Sequence, residues 1–64
     1  MEVGLRIKSI REAMNMSQER LAKKTKILNQ SQICKIENGQ RALKANELLI
    51  ISEILKVSPS EILV

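Results

Sequence analysis

No histidine, phenylalanine, tyrosine or tryptophan occurs among the 64 residues, and cysteine occurs once, as Cys34. A disulfide framework is excluded, and so is a metal site of the usual cysteine and histidine spacing; no cofactor is expected. Without aromatic rings there is no platform for stacking the bases of single-stranded nucleic acid. The longest apolar run is Leu48–Ile51, far short of the roughly 20 residues of a membrane span or the ~7 to 15 of a signal-peptide core. A cytoplasmic protein with no membrane partner is expected, and Cys34 then reads as a reduced thiol with no assigned role. Glycine is confined to Gly4 and Gly39 and proline to Pro59, so no linker, repeat or low-complexity segment divides the chain. Residues 1–64 make one domain, small enough to bury only about 60% of its unfolded surface. Acid–base chemistry would fall to glutamates and lysines on open helices, which argues against an enzyme, and no small-molecule ligand is evident.

What the chain does have is charge, unevenly placed. Residues 20 to 44 carry Arg20, Lys23, Lys24, Lys26, Lys35, Arg41 and Lys44 against Glu37 alone, so the middle is strongly positive although the whole chain is only +4. Such a field suits nucleic acid or an acidic protein, and by itself does not choose between them.

Apolar spacing is helical throughout. Ile7, Ile10 and Met14 predict a first helix over about residues 3–14, with Arg11 near the same face. Ser17 is a good N-cap for a second helix reaching about Thr25, stapled by Met16 and Leu21, with Leu21, Ala22 and Thr25 inward and Glu19, Arg20, Lys23 and Lys24 outward. Asn29 as N-cap puts Gln32 at the third helical position, completing a capping box, and Leu28 opposite Ile33 forms a second staple. That third helix runs to about Glu37, with Ile33 and Ile36 inward and Gly39 at a left-handed end. A fourth helix over about Ala45–Lys56 aligns Leu48, Ile51, Ser52 and Leu55. Ser58, Pro59 and Glu61 start a last turn, stapled by Val57 and Ile62. Five short helices are implied, an all-α bundle.

Capping accounts for Asn29 and part of Gln32. It leaves Gln30, Ser31 and the outward face carrying Lys35 unexplained, and two short helices joined by a tight turn, the second presenting small polar residues, are the layout of a helix-turn-helix. The stretches "MSQERLAKK", "NQSQICKIENGQR" and "LLIISEILKVSPSEIL" resemble the lambdoid phage repressor and Cro family, whose bacterial members are small XRE-type transcriptional regulators. The similarity runs from about Arg6 to Leu63 and implies a compact five-helix, lambda-repressor-like fold.

Carried over position by position, the resemblance implies that Gln18 touches a phosphate and braces the reading helix. Gln30 takes the first base-reading slot, Ser31, Gln32 and Lys35 the other positions facing the major groove, and Asn38 and Arg41 positions near the sugar-phosphate backbone. Glutamine can offer donor and acceptor together to adenine, and lysine can donate to guanine. Arg11 and Glu37 match an internal ion pair of the family. The implied function is a sequence-specific double-stranded DNA-binding regulator, a repressor acting as a homodimer on an inverted repeat. The competing function is an antitoxin or adaptor whose main task is to bind another protein.

Three departures from the family pattern stand out. One extra residue lies between Leu21 and Glu37, and "TKILN" lacks the common glycine; Ile27 is ill suited to positive φ, so the second helix is expected to continue through Lys26 or the turn to be reshaped. Leu43 replaces a common proline. On the fourth helix, Ile50 and Ile54 fall about 200° to 240° from Leu48 at 100° per residue, on the expected wet face, which makes the pair a candidate dimer contact.

Overall fold

The computed structural model describes residues 3–63, and among them the chain forms five helices: α1 (Val3–Ala13), α2 (Gln18–Thr25), α3 (Gln30–Glu37), α4 (Ala45–Leu55) and α5 (Pro59–Leu63). The core gathers Ile7, Met16, Leu21, Ile33, Ile36, Ile51, Leu55 and Ile62, with Ala22 and Leu28 completing it. α2 packs on both α3 and α4, while α1 packs on α3 and α5. α3 is thus held from two sides in a body 24 × 23 × 20 Å across its Cα atoms.

Local rules explain most boundaries. Ser17 Oγ accepts from Arg20 N at 3.0 Å, and Asn29 Oδ1 accepts from Gln32 N at 2.8 Å while Gln32 Oε1 accepts from Asn29 N at 2.9 Å. These bonds satisfy amides that a helix start leaves without partners. At the start of α5, Glu61 Oε2 accepts from Ser58 N at 2.7 Å. Ser58 Oγ turns to Ser60 and Glu61, so only one half of that capping box forms.

Helices α1 to α4 are each followed by a left-handed residue: Asn15, Lys26, Gly39 and Lys56. After α1, α3 and α4 the carbonyls are closed in the paired Schellman pattern, as in Gly39 N to Ile36 O and Gln40 N to Lys35 O. The turn after α1 corrects one expectation. Met14 does not pack inward but is 39% exposed, because the chain reverses at Asn15 and delivers Met16 to the core in its place.

α2 stops differently. It ends at Thr25 with Lys26 at φ 63°, so it does not continue through Lys26, and Ile27 is spared the positive φ that its β-branch resists. The buried Thr25 hydroxyl donates to Ala22 O at 2.7 Å and accepts from Leu28 N at 3.1 Å and, more weakly, from Ile27 N at 3.4 Å. A side chain thereby stands in for the glycine-based closure of the turn.

α4 is rotated from the orientation that Leu48 suggests. Its buried residues are Glu47, Ile51, Ser52 and Leu55, which centre roughly 35° from Leu48 at 100° per residue. Leu48 and Ile54 are both half-buried and both pack against the core, beside the expected Ile51, Ser52 and Leu55, which are buried. Ile50 and Ile54 are both half-buried, so they are not an exposed pair, and the exposed large apolar residue of this helix is Leu49 at 60%. This orientation accommodates two neighbours, since α4 packs on both α2 and α5.

Gly4 is buried within α1. A Cβ there would lie 2.7 Å from Glu37 O and closer still to Ile36 O. The helix therefore crosses the end of α3 backbone to backbone, which only glycine permits. Gly4→Ala is expected to lower stability by about 1–3 kcal/mol through overpacking, although alanine is the better helix former by about 1 kcal/mol. Urea denaturation measures the difference; equal or higher stability would refute the close crossing.

Candidate nucleic-acid interface

The site begins with α3, only two turns long and therefore unstable alone. Ile33 and Ile36 bury one side of it, and its carboxyl end is fixed by a buried ionic cluster. Arg11 Nε donates to Glu37 Oε2 at 2.7 Å, Arg11 Nη2 to Glu37 Oε1 at 3.0 Å, and Arg11 Nη1 to Met16 O at 2.6 Å. Gln18 Nε2 adds a bond to Glu37 Oε1 at 2.9 Å. Arg11 is 6% exposed and Glu37 2%. The hydrogen bonds from Glu37 hold the Arg11 guanidinium above its ordinary pKa, against the opposing effect of burial. Four segments meet here: α1, the turn after it, the head of α2 and the tail of α3.

With its inner side and tail fixed, α3 presents the rest to solvent. Gln30, Ser31 and Lys35 are exposed, as is Asn38 just beyond the helix, while Gln32 and Cys34 are half-buried. The side chains of Gln30, Ser31 and Lys35 make no hydrogen bond within the described residues. Gln32 is different: its Oε1 is held by the cap on Asn29 N, leaving its NH₂ as a donor without an equivalent free acceptor. Asn38 Nδ2 lies 3.5 Å from Cys34 Sγ, a weak contact that puts the thiol beside this polar surface. Cys34 received no role from its sequence, and its place on the interface comes from the helical register.

Gln18 reaches inward as a brace through Glu37. Arg41, expected near a DNA backbone, is not a free cation. Its guanidinium grips Glu47 in two bonds, Nη1–Oε1 at 2.9 Å and Nη2–Oε2 at 2.8 Å, and a longer bond of 3.4 Å reaches Ala42 O. Glu47, missed in the sequence, is 4% exposed and also accepts from Lys44 N at 3.0 Å, capping α4. Its position three residues after Lys44 is the available signal, a capping-box acid. The residues named for DNA contact thus fall into two sets: Gln30, Ser31, Lys35 and Asn38 on the open surface of α3 and its end, and Gln18, Gln32 and Arg41 held by protein partners.

A core-packed α2 and α3, joined by a short turn and leaving the outer side of α3 polar, define a helix-turn-helix. The helix-turn-helix family model matches residues 7–62, and the chain belongs to that family, as a DNA-binding transcription regulator of the lambda-repressor-like, Cro/C1 type. Among solved structures, it is similar to the restriction-modification controller protein C.AhdI from Aeromonas hydrophila. The two share 32% identity over 94% of this chain and 89% of that one, with a TM-score of 0.89. No curated protein sequence matches the chain. No described helix is long and apolar enough to cross a membrane.

The Arg41–Glu47 pair carries a pH dependence. The Arg41 hydrogen bonds lower the Glu47 pKa from 4.5 to about 2, helped by the Lys44 amide and opposed by burial. A carboxylate whose pKa is depressed on folding contributes stability that is complete above its unfolded pKa and lost as pH falls through the folded one. Between pH 4.5 and about 2, the wild type should therefore lose this contribution. Glu47→Gln should be less stable at neutral pH and show a shallower decline across that window. Parallel denaturation curves in the variant and wild type would remove Glu47 as the cause.

Proposed function

We propose that the chain is a repressor that binds an inverted-repeat operator as a homodimer. Gln30, Ser31, Gln32 and Lys35 face base edges in the major groove and Asn38 contacts the sugar-phosphate backbone, which Gln18 and Arg41 approach while still held by Glu37 and Glu47. The observation that carries this reading is the rigidly held α3 with Gln30, Ser31 and Lys35 unengaged on its open side: base-edge contacts require polar groups that the protein itself does not satisfy. The controller role of the similar Aeromonas hydrophila protein supports a regulatory task.

Gln30 and Gln32 then differ in what they can do. Gln30 keeps donor and acceptor free for a bidentate contact to adenine, whereas Gln32 has a donor to offer and serves acceptors such as guanine N7 or O6. Gln30→Ala should lower discrimination at one base pair per half-site by about 1–3 kcal/mol with helix content unchanged. Gln32→Glu keeps the cap, since a carboxylate also accepts from Asn29 N, and should preserve stability while weakening DNA binding. Binding measured across operator variants recovered from random duplex DNA tests both. Identical base rankings for Gln30→Ala and wild type would remove Gln30 as a reader, and failure to recover any site at low salt would sink the DNA-reading assignment.

Homodimerisation is assigned to the outer side of α4. Ile54 is set aside as a contact because it packs against the core; Leu49, 60% exposed, takes its place beside the half-buried Ile50. Two-fold pairing would set the reading helices about 34 Å apart, one helical turn of DNA. Leu49→Lys should reduce binding to a full inverted repeat much more than to a half-site and shift sedimentation toward the monomer. A dimer of unchanged strength would exclude this face.

A further inference from the structure

The basic residues of the middle segment are not all used by the interface described above. Arg20, Lys23 and Lys24 are exposed on the outer side of α2, and Lys26 extends the row into the turn. Taking Leu21 as the inward direction, Lys23, Arg20 and Lys24 occupy an arc of about 100°. None of the four side chains donates a hydrogen bond within the described residues, whose ion pairs engage Arg11 and Arg41. Glu19 precedes Lys23 by four residues, the favourable order for a helical ion pair, yet no such pair forms. Glu19 and the bases remain separately solvated.

The stability of α2 does not account for this row. Lys23, Lys24 and Lys26 lie near its carboxyl end, where a cation is favoured by the helix dipole. Arg20, in the first turn, is at the wrong end for that effect and stands four residues before a like charge, Lys24, an arrangement that opposes helix formation. The outer side of α2 itself lacks an exposed apolar side chain, and beyond it the turn exposes the single Ile27 beside Lys26, whereas protein interfaces rely on clustered, buried apolar or aromatic anchors. What fits a row of long, flexible, unpaired cations is a polyanion, and duplex DNA carries one negative charge per about 1.7 Å of its axis. α2 packs directly on α3, so a duplex read by α3 is the nearest such surface.

We propose that Arg20, Lys23, Lys24 and Lys26 form a second phosphate-binding strip, which follows the backbone of DNA flanking the site read by α3. This rests on the DNA-reading assignment of α3 and extends it from base recognition to a wider electrostatic footprint. The strip carries no sequence preference, because phosphates are the same at every step.

The test uses two duplexes: a minimal site recovered from random DNA, and the same site lengthened by about one helical turn on each side. The wild type should show a steeper dependence of log affinity on log salt on the long duplex. A triple variant with Arg20→Gln, Lys23→Gln and Lys24→Gln should lose that excess, by about 0.9 per contact removed and so up to nearly 3 in slope. It should keep the wild-type ranking of bases and its affinity for the minimal duplex. Arg20→Lys with Lys23→Arg and Lys24→Arg should behave as wild type, and circular dichroism should show the same helix content for all three proteins. An unchanged slope for the glutamine variant on the long duplex, with site recovery intact in the wild type, overturns the strip and leaves this side of α2 to an acidic protein. A changed base ranking overturns it also, since the residues would then be reading sequence. Failure of the wild type to recover any site defeats the α3 assignment and the strip together.

Discussion

The position of α3 depends on one buried charge, the guanidinium of Arg11. It is surrounded by the Glu37 carboxylate and the Met16 carbonyl, and Glu37 is further held by Gln18. Taking two charges out of water costs several kcal/mol per ion, and only close geometry with full hydrogen bonding offsets that. The pair therefore specifies an arrangement more than it adds stability. If α1, the turn after it, α2 or α3 shifts, a charge is left without its partner inside a core made of aliphatic side chains. The glycine crossing at Gly4 works in the same place, bringing α1 down onto the last carbonyls of α3.

That anchoring frees the outer side of α3 from structural duty. A two-turn helix has too few internal bonds to persist by itself. Here the Asn29–Gln32 capping box holds its start, Ile33 and Ile36 its inner side, and Glu37 its end. Gln30, Ser31 and Lys35 then remain without internal partners on a fixed scaffold, the condition under which polar side chains can discriminate between base edges rather than adapt to any of them. The turn into α3 is fixed by the same economy: the single hydroxyl of Thr25 binds Ala22 O on one side and the Leu28 amide on the other.

Positive charge is divided by its partners. Arg11 and Arg41 are each committed to a buried glutamate, and both are held above the ordinary arginine pKa by hydrogen bonds to those carboxylates. Arg20, Lys23, Lys24 and Lys35 remain exposed. The excess charge of the middle segment thus belongs chiefly to α2 and α3, next to one another, and its field adds to the attraction of a polyanion toward that side of the molecule.

Helix count, caps and staples were legible in the sequence because they depend on residues three to five positions apart: Ser17 with Arg20, Asn29 with Gln32, Met16 with Leu21. The polar outer side of α3 was legible for the same reason, once its inner side was set by Ile33 and Ile36. The family motifs added the Arg11 and Glu37 positions, which no local rule connects across 26 residues. What only the tertiary structure decided were orientations that depend on several helices at once. α4 centres its buried side roughly 35° from Leu48, with α2 and α5 both packed on it, so that Ile54 reaches the core and Leu49 is exposed. Met14 yielded its expected place to Met16 when the chain reversed at Asn15. Arg41 looked free because the buried glutamate that holds it stands across a loop and inside the next helix. Periodicity assigns a residue to a side of its own helix; which neighbour covers that side, and which charge waits there, is settled only when the helices pack.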